Sequence, residues 1–212
     1  MAARAAVLDL DGTLIDSRQD IAAAANVARQ AVDLAPLDLA MVVGFVGDGA
    51  EKLIQRLTPA GDAAVREAAL AAFTRHYAEH CCEHTRPYAG IPEALGILRD
   101  SGWRLAVATN KPEAFARTIL RQLGLADLID GVRGGDRLRK PDPAQVIEVL
   151  GELGASPGSS WMVGDHHTDI RAGRDAGCRV AWCDWGFGNR DGLAVDAALA
   201  SPADLPRVLA RG

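Results

Sequence analysis

Four short polar clusters hold the residues of this sequence that could do chemistry. Asp9 and Asp11 stand two apart at the end of an apolar run over 5–10, a spacing that turns both carboxylates to one side. Their neighbours Val7, Leu8 and Leu10 are apolar, so charge placed there costs stability. Asp165 and Asp169 are four apart at a predicted helix start, where a single acid would be ordinary helix-dipole chemistry. With Asp9 and Asp11 they make an oxygen-rich, His-poor set. Such hard ligands suit Mg²⁺, which keeps several waters and shares a substrate's phosphate. His166 and His167, between the last two, read as helix-entry or rim residues, since the segment is too short and too rich in oxygen for a zinc site. Thr109 and Asn110 lie between a predicted strand and a helix beginning at Pro112. The hydroxyl and the backbone N–H groups there suit a phosphate, and Asn110 fits equally as a helix N-cap. Lys140 precedes Pro-Asp-Pro in a chain that otherwise uses Arg, the other lysines being Lys52 and Lys111. Its compact charge suits a phosphate or an acylphosphate carboxylate. Taken alone, Lys140 also fits a solvated surface charge, and Lys111 fits one better, covering the helix start.

These residues need elements to position them. The run 5–10 predicts a buried strand, broken by Asp11-Gly12-Thr13. Residues 17–84 contain no convincing strand. Ser17 is placed to cap an alanine-rich helix over 21–32, with Asp20 in its first turn, and further helices follow over 39–43, 50–57 and 62–83. In the last, Phe73, Tyr77 and Cys81 form one stripe. After Pro87 helices and strands alternate. Helices are expected over 92–100, 112–123, 143–153, 167–176 and 202–210, and strands over 104–108, 129–132, 161–163, 178–183 and 197–200.

Such alternation with Gly-marked connections predicts an α/β fold: a doubly wound, Rossmann-like parallel sheet with helices on both faces. The core is expected over 1–15 plus 87–212, with an inserted α-helical cap over 16–86. Ligands of such sheets bind beyond the carboxyl ends of the strands, and all four clusters fall there.

Composition removes several function classes. The 212 residues carry a net charge of −5 with both signs dispersed, so neither a nucleic-acid footprint nor a charged tail is expected. No apolar stretch approaches the ~18 residues of a membrane span, and the N-terminal run is too short for a signal peptide, which predicts a cytoplasmic protein. Cys81, Cys82, Cys178 and Cys183 form no CxxC pair and read as reduced thiols.

The four clusters resemble the motif set of the haloacid dehalogenase superfamily: Asp9-Leu-Asp11-Gly-Thr-Leu14, Thr109-Asn110-Lys111, Lys140-Pro-Asp-Pro, and Gly164-Asp165-His-His-Thr-Asp169. Order and spacing match along the whole chain, and the helical insertion is similar to that superfamily's type-one cap. Within it the sequence is most similar to phosphoglycolate phosphatases, through Val46-Gly47-Asp48-Gly49-Ala50, Gly134-Gly135-Asp136 and Trp185-Gly-Phe-Gly188. It departs in having Leu8 before the first aspartate and His166-His167 in the fourth motif. The resemblance implies a phosphatase for a small phosphomonoester such as 2-phosphoglycolate, acting through an aspartyl-phosphate. Asp9 would be the nucleophile and Asp11 the general acid and base. Mg²⁺ would be held by Asp9, the Asp11 backbone carbonyl and Asp165, with Asp169 in support, while Thr109, Asn110 and Lys140 would hold phosphoryl oxygens.

Rival readings make different demands. A dehalogenase of this superfamily needs neither an acid equivalent to Asp11 nor the Mg²⁺ cluster. A phosphomutase would use the same two aspartates without releasing phosphate, and a sugar-phosphate phosphatase would differ only in substrate. A non-catalytic binding module would have lost a catalytic group. Monomer and homodimer are both compatible with the sequence. His76, His80 and His84 recur at helical spacing beside the apolar stripe, where polar boundary residues normally sit; the competing reading is a zinc site.

Overall fold

The computed structural model describes residues 3–210. In chain order its elements are β1 (Ala5–Leu8), β2 (Ile15–Asp16), α1 (Arg18–Gln30), α2 (Leu39–Val43), α3 (Ala50–Leu57) and α4 (Ala63–His80). Then come β3 (Arg86–Pro87), α5 (Ile91–Asp100), β4 (Arg104–Ala108), α6 (Glu113–Gln122), β5 (Gly131–Arg133) and α7 (Ala144–Glu152). The chain ends with β6 (Trp161–Gly164), α8 (His167–Asp175), β7 (Arg179–Cys183), β8 (Ala197–Leu199) and α9 (Leu205–Leu209). These elements form two compact units, one of residues 1–16 and 87–212 and one of residues 17–86.

The larger unit is built on a six-stranded sheet in the order β5-β4-β1-β6-β7-β8. Every neighbouring pair is parallel. The chain winds from β1 outward through β4 to β5, then crosses back to lay β6 on the other side of β1. That reversal is the switch point of a Rossmann-like sheet. Every residue of β1 is fully buried, which is why its sequence is continuously apolar rather than alternating. On one face Val7, Ala106 and Met162 pack against Val146, Val149 and Leu150 of α7 and Ala172 of α8. The i, i+3, i+4 spacing on α7 is what buries a single helical stripe. Leu8 and Val107 point the other way and are buried too, so the second face is also covered. Burying one such leucine is worth roughly 1.5–3 kcal/mol.

In the smaller unit α1 packs along α4. Ser17 occupies the N-cap position of α1 but makes no side-chain capping bond. Asp20, predicted only to favour the helix dipole, has a larger role. Its buried carboxylate accepts from the backbone N–H groups of His84 and Thr85, at 3.0 and 2.8 Å, and from the Thr85 hydroxyl at 2.6 Å. The start of the helical segment is thereby tied to its end. Phe73 and Tyr77 stack with ring centroids 5.5 Å apart, as the apolar stripe of α4 requires. His84 Nδ1 lies 3.0 Å from Asp20 and His80 Nδ1 2.7 Å from Glu83, so these rings face carboxylates of their own unit. All four cysteines are free thiols. Among the described residues no helix is long and apolar enough to cross a membrane.

Candidate active site

The carboxyl ends of β1 and β6 lie side by side, because Val7 pairs with Met162 and Leu8 with Val163. The Asp9 N–H extends that ladder, donating to the Val163 carbonyl at 2.9 Å. Asp9 is thus fixed beside the strand that delivers Asp165. The chain then turns tightly at Gly12, where φ is +83° and the place of a Cβ is filled by the Asp165 carboxylate, 2.0 Å from Oδ2. Only glycine fits there, because the turn needs a left-handed residue and the acid needs the space.

Carboxylate oxygens of Asp9, Asp165 and Asp169 lie within 4.8 Å of one another, and all three residues are buried. Lys140 enters from the loop before α7. Its Nζ donates to Asp169 Oδ1 at 2.6 Å and lies 2.9 Å from Asp9 Oδ1. The second contact is an ion pair without hydrogen-bond alignment, so Asp9 Oδ1 has no hydrogen-bond donor among the described residues. Asp169 Oδ2 accepts the His166 N–H at 2.9 Å, half of a reciprocal cap that starts α8. His166 is therefore a helix-entry residue, its ring accepting from the Thr168 N–H.

Three buried carboxylates crowd together, and the one ammonium among them, that of Lys140, pairs with Asp9 and Asp169. Burial pushes the Asp9 carboxyl up to about 6; Lys140 opposes the shift and Asp169 adds to it. Asp165 has no cationic partner among the described residues. Burial, with the charges of Asp169 and Asp9, pushes it up to about 8. Burial alone would lower the Lys140 ammonium, but the two carboxylates outweigh it and hold it above its ordinary value. A buried, all-oxygen cluster with more negative than positive charge fits a hard divalent cation such as Mg²⁺.

Asp11 does not add its side chain to this cluster. Both its oxygens face the Lys111 ammonium, at 2.8 and 2.6 Å. Lys111 is buried, so it is no solvated cover for the helix start. The sequence offered no sign of this pair, whose partners are 100 residues apart.

Asn110 also departs from its expected place. Its side chain makes two hydrogen bonds with the Lys140 backbone, donating to the carbonyl at 2.9 Å and accepting from the N–H at 2.8 Å. It is not the cap of α6: Asp136 accepts the Glu113 N–H at 2.8 Å in that role. The Lys111 N–H meets the Thr109 hydroxyl at 3.3 Å, so this helix start offers fewer free donors than the spacing suggested. Thr109 is buried beside the cluster's loops, its own N–H held by the Arg133 carbonyl at 3.0 Å.

Sequence comparison decides the family. A model of the family described as haloacid dehalogenase-like hydrolase matches residues 6–183. The chain belongs to that family. It is 41% identical over 207 residues to a phosphoglycolate phosphatase of Rhodospirillum rubrum, covering 93% of this chain and 86% of the relative. A phosphoglycolate phosphatase of Chromobacterium violaceum is 35% identical, covering 99% of this chain and 97% of the relative. Among solved structures, one described as a predicted phosphoglycolate phosphatase from Haemophilus somnus superposes with a TM-score of 0.90 at 29% identity, covering 97% of each chain. This haloacid dehalogenase-like hydrolase is a phosphoric monoester hydrolase. The dehalogenase and binding-module readings fall away with that result.

Proposed function

We propose that this hydrolase is a cytoplasmic, Mg²⁺-dependent phosphatase that cleaves 2-phosphoglycolate through an aspartyl-phosphate on Asp9. The observation that carries the mechanism is the convergence of Asp9, Asp165, Asp169 and Lys140 at the switch point of the sheet.

Asp9 Oδ1 has no hydrogen-bond donor among the described residues, and the Asp9 backbone is fixed by its bond to Val163. Asp9 attacks phosphorus in line; the bond from phosphorus to the leaving oxygen breaks, and Asp11 gives that oxygen its proton. Asp11 then takes a proton from water, which attacks the phosphorus and releases inorganic phosphate and Asp9. Lys140 compensates charge on the Asp9 side, while the Thr109 hydroxyl and backbone donors of its loop hold phosphoryl oxygens. With its side chain engaged by Lys140, Asn110 acts chiefly by fixing where Lys140 stands. Asp9, the Asp11 carbonyl and Asp165 would hold Mg²⁺, with Asp169 oriented behind them. The ion would supply charge neutralisation for the transferring phosphoryl group.

The substrate rests on the relatives named phosphoglycolate phosphatase, two of which align over nearly all of this chain. Phosphate release measured across 2-phosphoglycolate, sugar phosphates, nucleoside monophosphates and pyridoxal phosphate tests the proposal.

A further inference from the structure

Asp165 differs from the other two acids of the cluster in how it is held. Asp9 and Asp169 share Lys140, whereas Asp165 is bound only by neutral donors among the described residues. The Thr13 hydroxyl donates to its Oδ1 at 3.1 Å. The N–H groups of Phe187 and Gly188 both donate to its Oδ2, at 3.0 and 2.8 Å. Two donors fill the lone pairs of Oδ2, and one donor leaves Oδ1 an open position. Neutral donors orient a carboxylate without placing a positive charge beside it, so the counter-charge at Asp165 is left for a cation to supply.

The loop that supplies these amides follows β7 and is pressed onto the acid. A Cβ on Gly186 would lie 2.2 Å from the Asp165 Cβ, and one on Gly188 2.3 Å from its carbonyl oxygen. Something must keep the loop there, and the contact that does so returns to Thr13. The Trp185 indole N–H donates to the Thr13 carbonyl at 3.0 Å. Thr13 therefore grips Asp165 with its hydroxyl and the loop with its carbonyl, which closes a ring through Thr13, Asp165, Gly188 and Trp185. Tyr88 packs edge-on against the indole, with ring centroids 6.4 Å apart.

We propose that Trp185 is a positioning residue for the metal: through Thr13 and the 186–188 backbone it aims Oδ1 of Asp165 at the cation and so sets Mg²⁺ affinity. The proposal rests on the assigned Mg²⁺ role of Asp165 but not on the identity of the substrate. Partners that orient metal ligands in this way typically change affinity about 10–100-fold when removed.

The experiment is calorimetric titration of the substrate-free protein with Mg²⁺, comparing wild type with Trp185→Phe, which keeps an aromatic ring and removes the indole N–H. The variant is expected to bind Mg²⁺ about 10–100-fold more weakly. Activity lost at low Mg²⁺ should return as Mg²⁺ is raised, while KM for the phosphomonoester at saturating Mg²⁺ stays within about twofold. Wild-type Mg²⁺ affinity in the folded variant would overturn the proposal, as would a raised KM with unaltered affinity. Should Trp185→Phe fail to fold, Thr13→Val against Thr13→Ser decides: the valine is expected to weaken Mg²⁺ binding and the serine to preserve it, and equal affinities would overturn the ring. A wild type that binds Mg²⁺ but hydrolyses no 2-phosphoglycolate refutes the substrate and leaves this inference standing. A wild type that binds no divalent cation refutes both the metal role and the ring.

Discussion

Lys111 holds both carboxylate oxygens of Asp11, at 2.6 and 2.8 Å, and so fixes the residue proposed to carry the proton. Asp11→Asn should remove the acid and the base together while leaving the fold intact. An aryl phosphate barely needs its leaving group protonated, so its first step should suffer less than that of an alkyl ester, and phosphoenzyme should accumulate. Rapid-quench measurements with both esters check this; equal damage to both steps for both esters would remove Asp11 from proton transfer.

The same pair makes a stability prediction. Both partners are largely buried, so Lys111→Met should strand the Asp11 carboxylate and destabilise by about 1–3 kcal/mol. Adding Asp11→Asn to Lys111→Met should recover part of that loss. Urea denaturation of the two single variants and the double variant gives the coupling, and strictly additive effects would mean the pair is not formed in solution.

Asp9→Asn should lower kcat by at least ~10³-fold, because an amide is a poor nucleophile and a weaker metal ligand. Circular dichroism should remain that of the wild type, since Lys140 keeps Asp169 as a partner. Turnover within tenfold of wild type would sink the aspartyl-phosphate mechanism.

The raised carboxyls predict how stability varies with pH when no metal is present. A carboxyl whose folded pKa exceeds its ordinary value of 3.8 favours the folded state fully below that value. Its contribution is lost as pH rises through the folded value, about 6 for Asp9 and about 8 for Asp165. In EDTA the urea midpoint should therefore fall between pH 5 and pH 8.5, and Asp165→Asn should flatten the upper part of that fall. Mg²⁺ should raise the midpoint most at the alkaline end, where the acids are ionised, and should restore activity that EDTA abolishes. A midpoint indifferent to Mg²⁺ at pH 8 would leave the acidic cluster without the role proposed for it.

How much of this was legible in the sequence follows from the range of each interaction. The sheet was readable because a strand covered on both faces is written as an apolar run, as in Ala5–Leu8, and its helices as stripes such as Val146, Val149 and Leu150. Two-residue strands such as Ile15–Asp16 are too short to show any period. The four polar clusters were visible because each sits directly after or before a core element. Their mutual wiring was not, since Asn110 meets Lys140 across 30 residues and Trp185 meets Thr13 across 172. Gly134 and Gly135, noticed only as part of a resemblance, have a physical reason. A Cβ on either would lie within 2.4 Å of the Glu113 or Asn110 backbone, so the strand end and the start of α6 can approach only through glycine.

The substrate rests on the relatives named phosphoglycolate phosphatase rather than on the geometry of the acidic cluster. 2-Phosphoglycolate should show the highest kcat/KM of a panel with sugar phosphates, nucleoside monophosphates and pyridoxal phosphate. If a sugar phosphate exceeds 2-phosphoglycolate by more than ~100-fold, a gap of about 2.7 kcal/mol in transition-state binding, the proposed substrate is wrong, whereas the chemistry at Asp9 and Asp11 is unaffected by that result.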